Sequence, residues 1–198
     1  MKSASLKSTG QPFLQELDRL IEVVAVSDDT LKTGCTSFLF RRGLTSAMML
    51  LGSAPASKDV MCLQPGCAVD AIWGVHFTGG SVMGLESQAG AVRRMRENGR
   101  GVPTPAGPIP VIPTFGIFDL CVGTADVIKP DQVFRAPSAP FTSLLTAPLN
   151  AGVGCGATVG KADGSCGSFA GASFQWMEKL GMAVGWVAAY RSCHVGFI

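Results

Sequence analysis

This sequence is short of charge. Only 15% of its 198 residues are Asp, Glu, Lys or Arg, against roughly 25% in an average soluble domain. The formal net charge is +2, and no cluster of Lys and Arg alternates with aromatics, which excludes a nucleic-acid surface. No run approaches the ~20 apolar residues of a membrane-spanning helix. Residues 1–10 are polar and hold no apolar core of a secretory signal, so a cytoplasmic protein is expected. The seven cysteines are odd in number and contain no C-x-x-C. Cys62 and Cys67 have neither a second pair nor a nearby His at finger spacing, which speaks against zinc and makes buried, reduced thiols the expected state. No metal and no organic cofactor is implied.

Nucleotide-binding motifs are absent too. A Walker loop needs G-x-x-x-x-G-K-[ST]. Gly160-Lys161 has Cys155 where the first Gly belongs and Ala162 where the hydroxyl belongs. A dinucleotide fingerprint starting at Gly154 and Gly156 would need a third Gly at Val159.

What is present is apolar and turn-rich. The chain is 47% hydrophobic, with 25 Gly and 12 Pro. Its length suits one domain, and its sparse charge favours oligomers. Apolar Phe13, Leu14 and Leu17 predict a short helix over 11–19. The β-branched run in 20–26 predicts a strand, and Asp28-Asp29 a turn into a second strand at 37–40 ended by Arg41-Arg42-Gly43. Residues 45–51 read as strand or buried helix, 52–58 as a loop, 59–63 as one helical turn. Residues 69–77 predict a buried strand. Val82, Leu85, Ala89, Val92 and Met95 predict the clearest helix, with Ser81 as N-cap and Asn98-Gly99 as its end. Residues 100–113 carry five prolines and predict an extended loop. Strands are expected at 114–122, 173–179 and 182–190, with a connection over 130–149. About six strands and one helix point to a layered α/β sandwich, without the βαβ alternation of a doubly wound sheet.

Two features could carry chemistry. Gly79-Gly80 before a helix start is a candidate anion or oxyanion site, and equally a plain strand-to-helix turn. Ser81 resembles a serine-hydrolase nucleophile, but the elbow pattern G-x-S-x-G has its last Gly one residue late, at Gly84. Its possible bases are His76, expected to be a packed core residue, and His194, in the tail. The other feature is Asn150–Lys161, NAGVGCGATVGK. Glycines there let groups approach the backbone closely, and Lys161 places one cation at the end of that wall, unless it is merely a solvated loop lysine.

Several motifs in order resemble the DmpA-type self-processing aminopeptidases, a family that includes β-peptidyl aminopeptidases and nylon-oligomer hydrolases and shares its fold with ornithine acetyltransferase. They are Thr33-Gly34-Cys35-Thr36; Val69-Asp70-Ala71-Ile72; Thr78-Gly79-Gly80-Ser81-Val82-Met83-Gly84-Leu85; Gly99-Arg100-Gly101 before Pro103-Thr104; Pro110-Val111-Ile112-Pro113 followed by Ile117-Phe118-Asp119-Leu120; residues 152–161; and Met182 to Gly185. The similarity runs from about residue 20 to 185. It implies an αββα-type sandwich, incomplete at the C-terminus, with an N-terminal extension at 1–19, an α-subunit-like hydrolase domain at 20–190 and a divergent tail at 191–198.

In such enzymes the precursor cuts itself, and the new N-terminal Ser or Thr of the β-subunit attacks the amide with its own amine as base. The resemblance implies a supporting catalytic role for Lys161. It implies substrate contacts at Gly79, Gly80, Ser81, Phe118, Gly154 and Gly156, where Phe118 keeps the ring of a substrate-side Tyr and loses its hydroxyl. Two departures stand out. The family's oxyanion Asn falls at Arg191, and no segment with the nucleophile follows. The expectation is therefore an α-subunit-like part of an aminopeptidase or amidohydrolase acting on amides of N-terminal amino acids, inactive alone. Its partner would be a β-subunit-like segment or a full-length relative, in a homo-oligomer. The alternatives are a non-catalytic structural partner and an ornithine-acetyltransferase-like acyltransferase. The substrate is left open among α-amino, β-amino and nylon-type amides.

Overall fold

The computed structural model describes residues 11–46, 56–64, 66–148 and 150–157, together with the backbone of two strands, 170–177 and 182–189. Most of 45–51, and with it the strand-or-helix alternative there, lies outside the described residues, as do Lys161 and His194.

The first element among the described residues is α1 (Gln11–Leu20). Pro12 is tolerated in its first turn, where N–H groups have no helical acceptor. Leu17 faces inward and Asp18 accepts two hydrogen bonds from Thr142. The predicted hairpin is present: β1 (Ile21–Asp28) pairs antiparallel with β2 (Thr33–Leu44). Asp28 closes its turn by accepting from the N–H groups of Thr30 and Leu31. Arg41-Arg42-Gly43 does not end β2 as the sequence suggested. The strand passes through them with a register shift between Leu39 and Leu44, and both arginines are exposed.

Beyond the short β3 (Ser57–Lys58) and a 3-10 turn (Val60–Leu63) comes β4 (Ile72–Thr78). The predicted long helix is broken into α2 (Ser81–Gly84), a 3-10 turn (Leu85–Ser87) and α3 (Gln88–Glu97). Ser81 is not its N-cap. Gly80 holds that position without a capping side chain, and Ser81 is itself left-handed at φ 54°. The far end follows expectation. Gly99 is left-handed at φ 69°, and the N–H groups of Gly99 and Arg100 bond back to Arg96 and Met95, a Schellman closure. Residues 100–113 are extended. The expected strand over 114–122 shrinks to β5 (Thr114–Gly116), because the chain leaves the sheet to bury Asp119 elsewhere. The supposed connection over 130–149 contains α4 (Pro130–Arg135), with proline at its first position, β6 (Ser138–Pro140) and a 3-10 turn (Phe141–Leu145).

The six strands form one mixed sheet in the order β3-β5-β4-β2-β1-β6, with β4 and β5 parallel. A separate antiparallel pair joins β7 (Ala170–Met177) to β8 (Met182–Ala189). Residues 33–40 of β2 are buried without a break, because both faces of the sheet are covered. On one, Val24, Cys35 and Leu39 meet Ala91 and Met95 of α3 and Val133 of α4. On the other, Ile21, Val23, Phe38 and Phe40 meet Leu17 of α1 and Phe141. Alternation along the strands sends neighbours to opposite clusters. The fold is thus mixed α/β, built on a six-stranded sheet. An ion triad centred on buried Glu22 pins β1 to α3 and the segment after it: Glu22 bonds half-buried Arg94 at 3.2 Å and half-buried Arg100 at 3.0 Å.

Candidate active site

At one end of the sheet the chain turns four times, and the turns share one carboxylate. Asp119 is 2% exposed. Its Oδ1 accepts the Gly80 N–H at 2.6 Å, and its Oδ2 accepts the Thr33 hydroxyl at 2.7 Å. These bonds fasten the end of β4 and the start of β2 to the segment after β5. The backbone repeats the connection: Gly79 N–H donates to Gly34 O, Ile117 N–H to Thr78 O, and Ser81 N–H to Ile117 O. Among the described residues no cation pairs with this carboxylate, and neutral donors satisfy it.

The fourth turn is the glycine segment, a 3-10 turn (Gly152–Cys155). Gly152 donates its N–H to Ser27 Oγ, and Val153 donates to Thr36 Oγ1. Gly152 is left-handed at φ 58°, and a Cβ there would overlap the Thr36 hydroxyl. Gly156 lies against both Lys32 O and the Asp119 carboxylate, and Gly79 against Asp119 and Thr33. Any side chain at these positions would push the turns apart, which is the local reason for so many glycines.

The structure therefore brings Gly79, Gly80, Ser81, Phe118 and Gly156 together, with Gly154 in the same glycine turn. The N–H groups of Gly79, Gly80 and Ser81 are aimed at protein acceptors. Beside them Phe118 is 50% exposed, Val82 67% and Met83 48%, so the surface at this junction is apolar. Asp119 and Thr33 were not singled out as site residues from the sequence. The available signal was an acidic residue inside the apolar run 114–122, which is costly unless it is partnered.

His76 is the expected core residue. It is fully buried, with Nδ1 2.7 Å from Ser37 Oγ and Nε2 2.8 Å from Ser87 Oγ. Burial drives its pKa down to about 4. Both ring nitrogens are occupied, so it does not serve Ser81 as a base. The thiols are less buried than expected. Of the five described, Cys35 alone is fully buried, and burial pushes its pKa up to about 12. Cys67 and Cys121 are exposed because they lie on turns outside the sheet. Among the described residues no group of three or more His, Cys, Asp or Glu could hold a metal ion. A cleft of about 230 Å³ lies elsewhere, between Ala68–Ala71, Trp73, Val102 and Pro103.

The junction thus defines a class of site, a rigid glycine-lined turn cluster around one buried carboxylate. No protein-family profile matches the chain. Individual proteins do. Proteins named uncharacterized aminopeptidase from Mycobacterium tuberculosis (strain H37Rv) and Mycobacterium bovis are each 32% identical to it over 135 residues, 68% of this chain and 39% of theirs. One of the same name from Mycobacterium leprae is 34% identical over 90 residues, 46% of this chain and 25% of the relative. The chain spans about two fifths of the length of the first of these relatives, as the 39% coverage gives.

Proposed function

We propose that this chain supplies one wall of an aminopeptidase-type amidohydrolase site of the N-terminal-nucleophile kind, within an αββα-type sandwich. The observation that carries the reading is the convergence of four sequence-distant motifs on Asp119. The aminopeptidase names of the mycobacterial relatives support it. In this reading the junction positions groups and does not itself attack. The hydroxyls of Thr33, Thr36 and Ser27 are engaged in holding turns, and His76 is committed to Ser37 and Ser87.

The nucleophile comes from a β-subunit-like partner segment. Its N-terminal Ser or Thr oxygen attacks the amide carbonyl, the adjacent amine takes the hydroxyl proton and passes it to the leaving amine, and water then hydrolyses the acyl-enzyme to release the acid half and regenerate the hydroxyl. Lys161, five residues beyond Gly156, supplies positive charge for the developing oxyanion. Phe118 contributes an apolar wall for the substrate. The test is release of p-nitroaniline from aminoacyl p-nitroanilides, by the pure chain and by the chain co-expressed with the C-terminal part of a mycobacterial relative. We expect no release from the chain alone and release from the pair. Turnover by the chain alone would place the nucleophile within it, and silence from a folded, co-purifying pair would refute the reading.

A further inference from the structure

The turn between β3 and β4 carries two thiols that the candidate site does not use. Two successive backbone turns fold it tightly: Gln64 N–H donates to Met61 O, and Cys67 N–H donates to Gln64 O. The second turn brings the Cys67 sulfur back to within 3.0 Å of Met61 O. That oxygen belongs to the peptide unit that leads into Cys62, so one thiol rests against the other residue's backbone. Cys62 in turn bonds its sulfur to Asp59 O, over the same 3-10 turn. Cys67 is exposed and Cys62 half-buried, so an oxidant can reach one, and the second thiol lies five residues away on the same folded turn.

We propose that Cys62 and Cys67 form a reversible dithiol–disulfide pair, oxidised by a small disulfide of the glutathione class. The Cys67 thiolate attacks one sulfur of that disulfide and expels one small thiolate, leaving a mixed disulfide on Cys67. The Cys62 thiolate then attacks the Cys67 sulfur and expels the second. The two cysteines lose two protons and two electrons in all, and the oxidant leaves as two thiols. The order follows access: Cys67 is the exposed thiol. Burial, then the Asp59 carboxylate and the Cys67 sulfur, raise the pKa of Cys62, which suits a group that waits to resolve. Closing the ring would stiffen the turn that presents Asp59 Oδ2 to the buried Gln88 amide at 2.9 Å.

The whole chain is incubated with oxidised glutathione, blocked with a maleimide and digested with trypsin. The tryptic peptide 59–93 contains no cysteine besides these two. The expected result is that this peptide loses two hydrogens and all maleimide reactivity, while exposed Cys121 gains glutathione. Buried Cys35 should stay unreacted, which reports that the protein remained folded. In Cys67→Ser the loss of two hydrogens should vanish and Cys62 should react more slowly than Cys67 does in the wild type. Mixed disulfides on both residues, or two free thiols beside a modified Cys121, would overturn the proposal.

Discussion

Asp119 is the residue on which the candidate site depends. It is buried and ionisable, and it holds two donors that come from distant parts of the chain, one of them 86 positions away. Replacing it by Ala leaves the Gly80 N–H and the Thr33 hydroxyl without their acceptor. That should cost about 2–6 kcal/mol, one to three for each of the two buried groups stranded. Asp119→Asn keeps one acceptor but turns a donor toward Thr33 or Gly80, so it should fall between wild type and Ala. Urea midpoints at constant m-value measure both. A loss under 0.5 kcal/mol, roughly the level of an ordinary surface change, would show that the carboxylate is dispensable. Glu22 sets a different kind of test. Burial raises its pKa, but Arg100 and Arg94 together outweigh burial and leave it below its ordinary 4.5. Removing it leaves two half-buried guanidinium groups that water still reaches, so Glu22→Ala should cost about 1–3 kcal/mol, below the loss for a fully buried pair.

At the scale of elements, the hydrogen-bonded line Ser37–His76–Ser87–Thr78 ties β2 to β4 and to the broken helix. His76 stays neutral there, with a pKa near 4 against an ordinary 6.5. A lowered histidine pKa means that the unfolded chain binds the proton more tightly. The associated stability is therefore fully present above pH 6.5 and is lost as pH falls toward 4. The loss is about 3 kcal/mol, at 1.36 kcal/mol per unit. Glu22 works in the same direction but only from its ordinary 4.5 downward, so the window from pH 6.5 to 4.5 isolates the histidine. Urea midpoints across that window should decline in the wild type and stay flatter in His76→Gln. Equal slopes would assign the effect to other groups. The elements themselves differ in how plainly the sequence announces them. The β1–β2 hairpin shows in a β-branched run followed by Asp28-Asp29, and the end of α3 shows in Asn98-Gly99. The three-residue β5 and β6, and the six-residue α4, are too short for a periodic pattern to recur and stand out.

The molecule as a whole is a mixed sheet covered on both faces, with its chemistry-bearing turns at one end. The motifs of that end are legible one at a time in the sequence, and in order. Their meeting place is not, because no periodicity records a bond between Thr33 and Asp119. The run TFGIFDLCV reads as a strand on local propensity alone, and tertiary burial of its one acid decides otherwise. Packing also predicts where the molecule refuses change. Gly79→Ala and Gly156→Ala each place a Cβ onto the Asp119 carboxylate. Each should lower the urea midpoint by the equivalent of about 1–3 kcal/mol, as overpacking does. Gly66 and Gly99 have open space around them but are left-handed, at φ 89° and 69°. Alanine there should cost nearer 1 kcal/mol, the strain of the backbone alone.

The four turns also bear on how the protein opens with time. Loop amides ordinarily trade their hydrogens for solvent deuterium within moments, since loops open locally at little cost. Here the N–H groups of Gly79, Gly80, Ser81, Gly152 and Val153 are spent on acceptors contributed by other segments. Each is tied to a segment distant in the chain, a neighbouring turn or one of the strands β1 and β2. In deuterated buffer these five loop amides should keep pace with the amides of β2, the central strand, and not with the exposed turn at 104–107. The end of the sheet that looks most like connecting chain would then be among the last parts of the molecule to breathe.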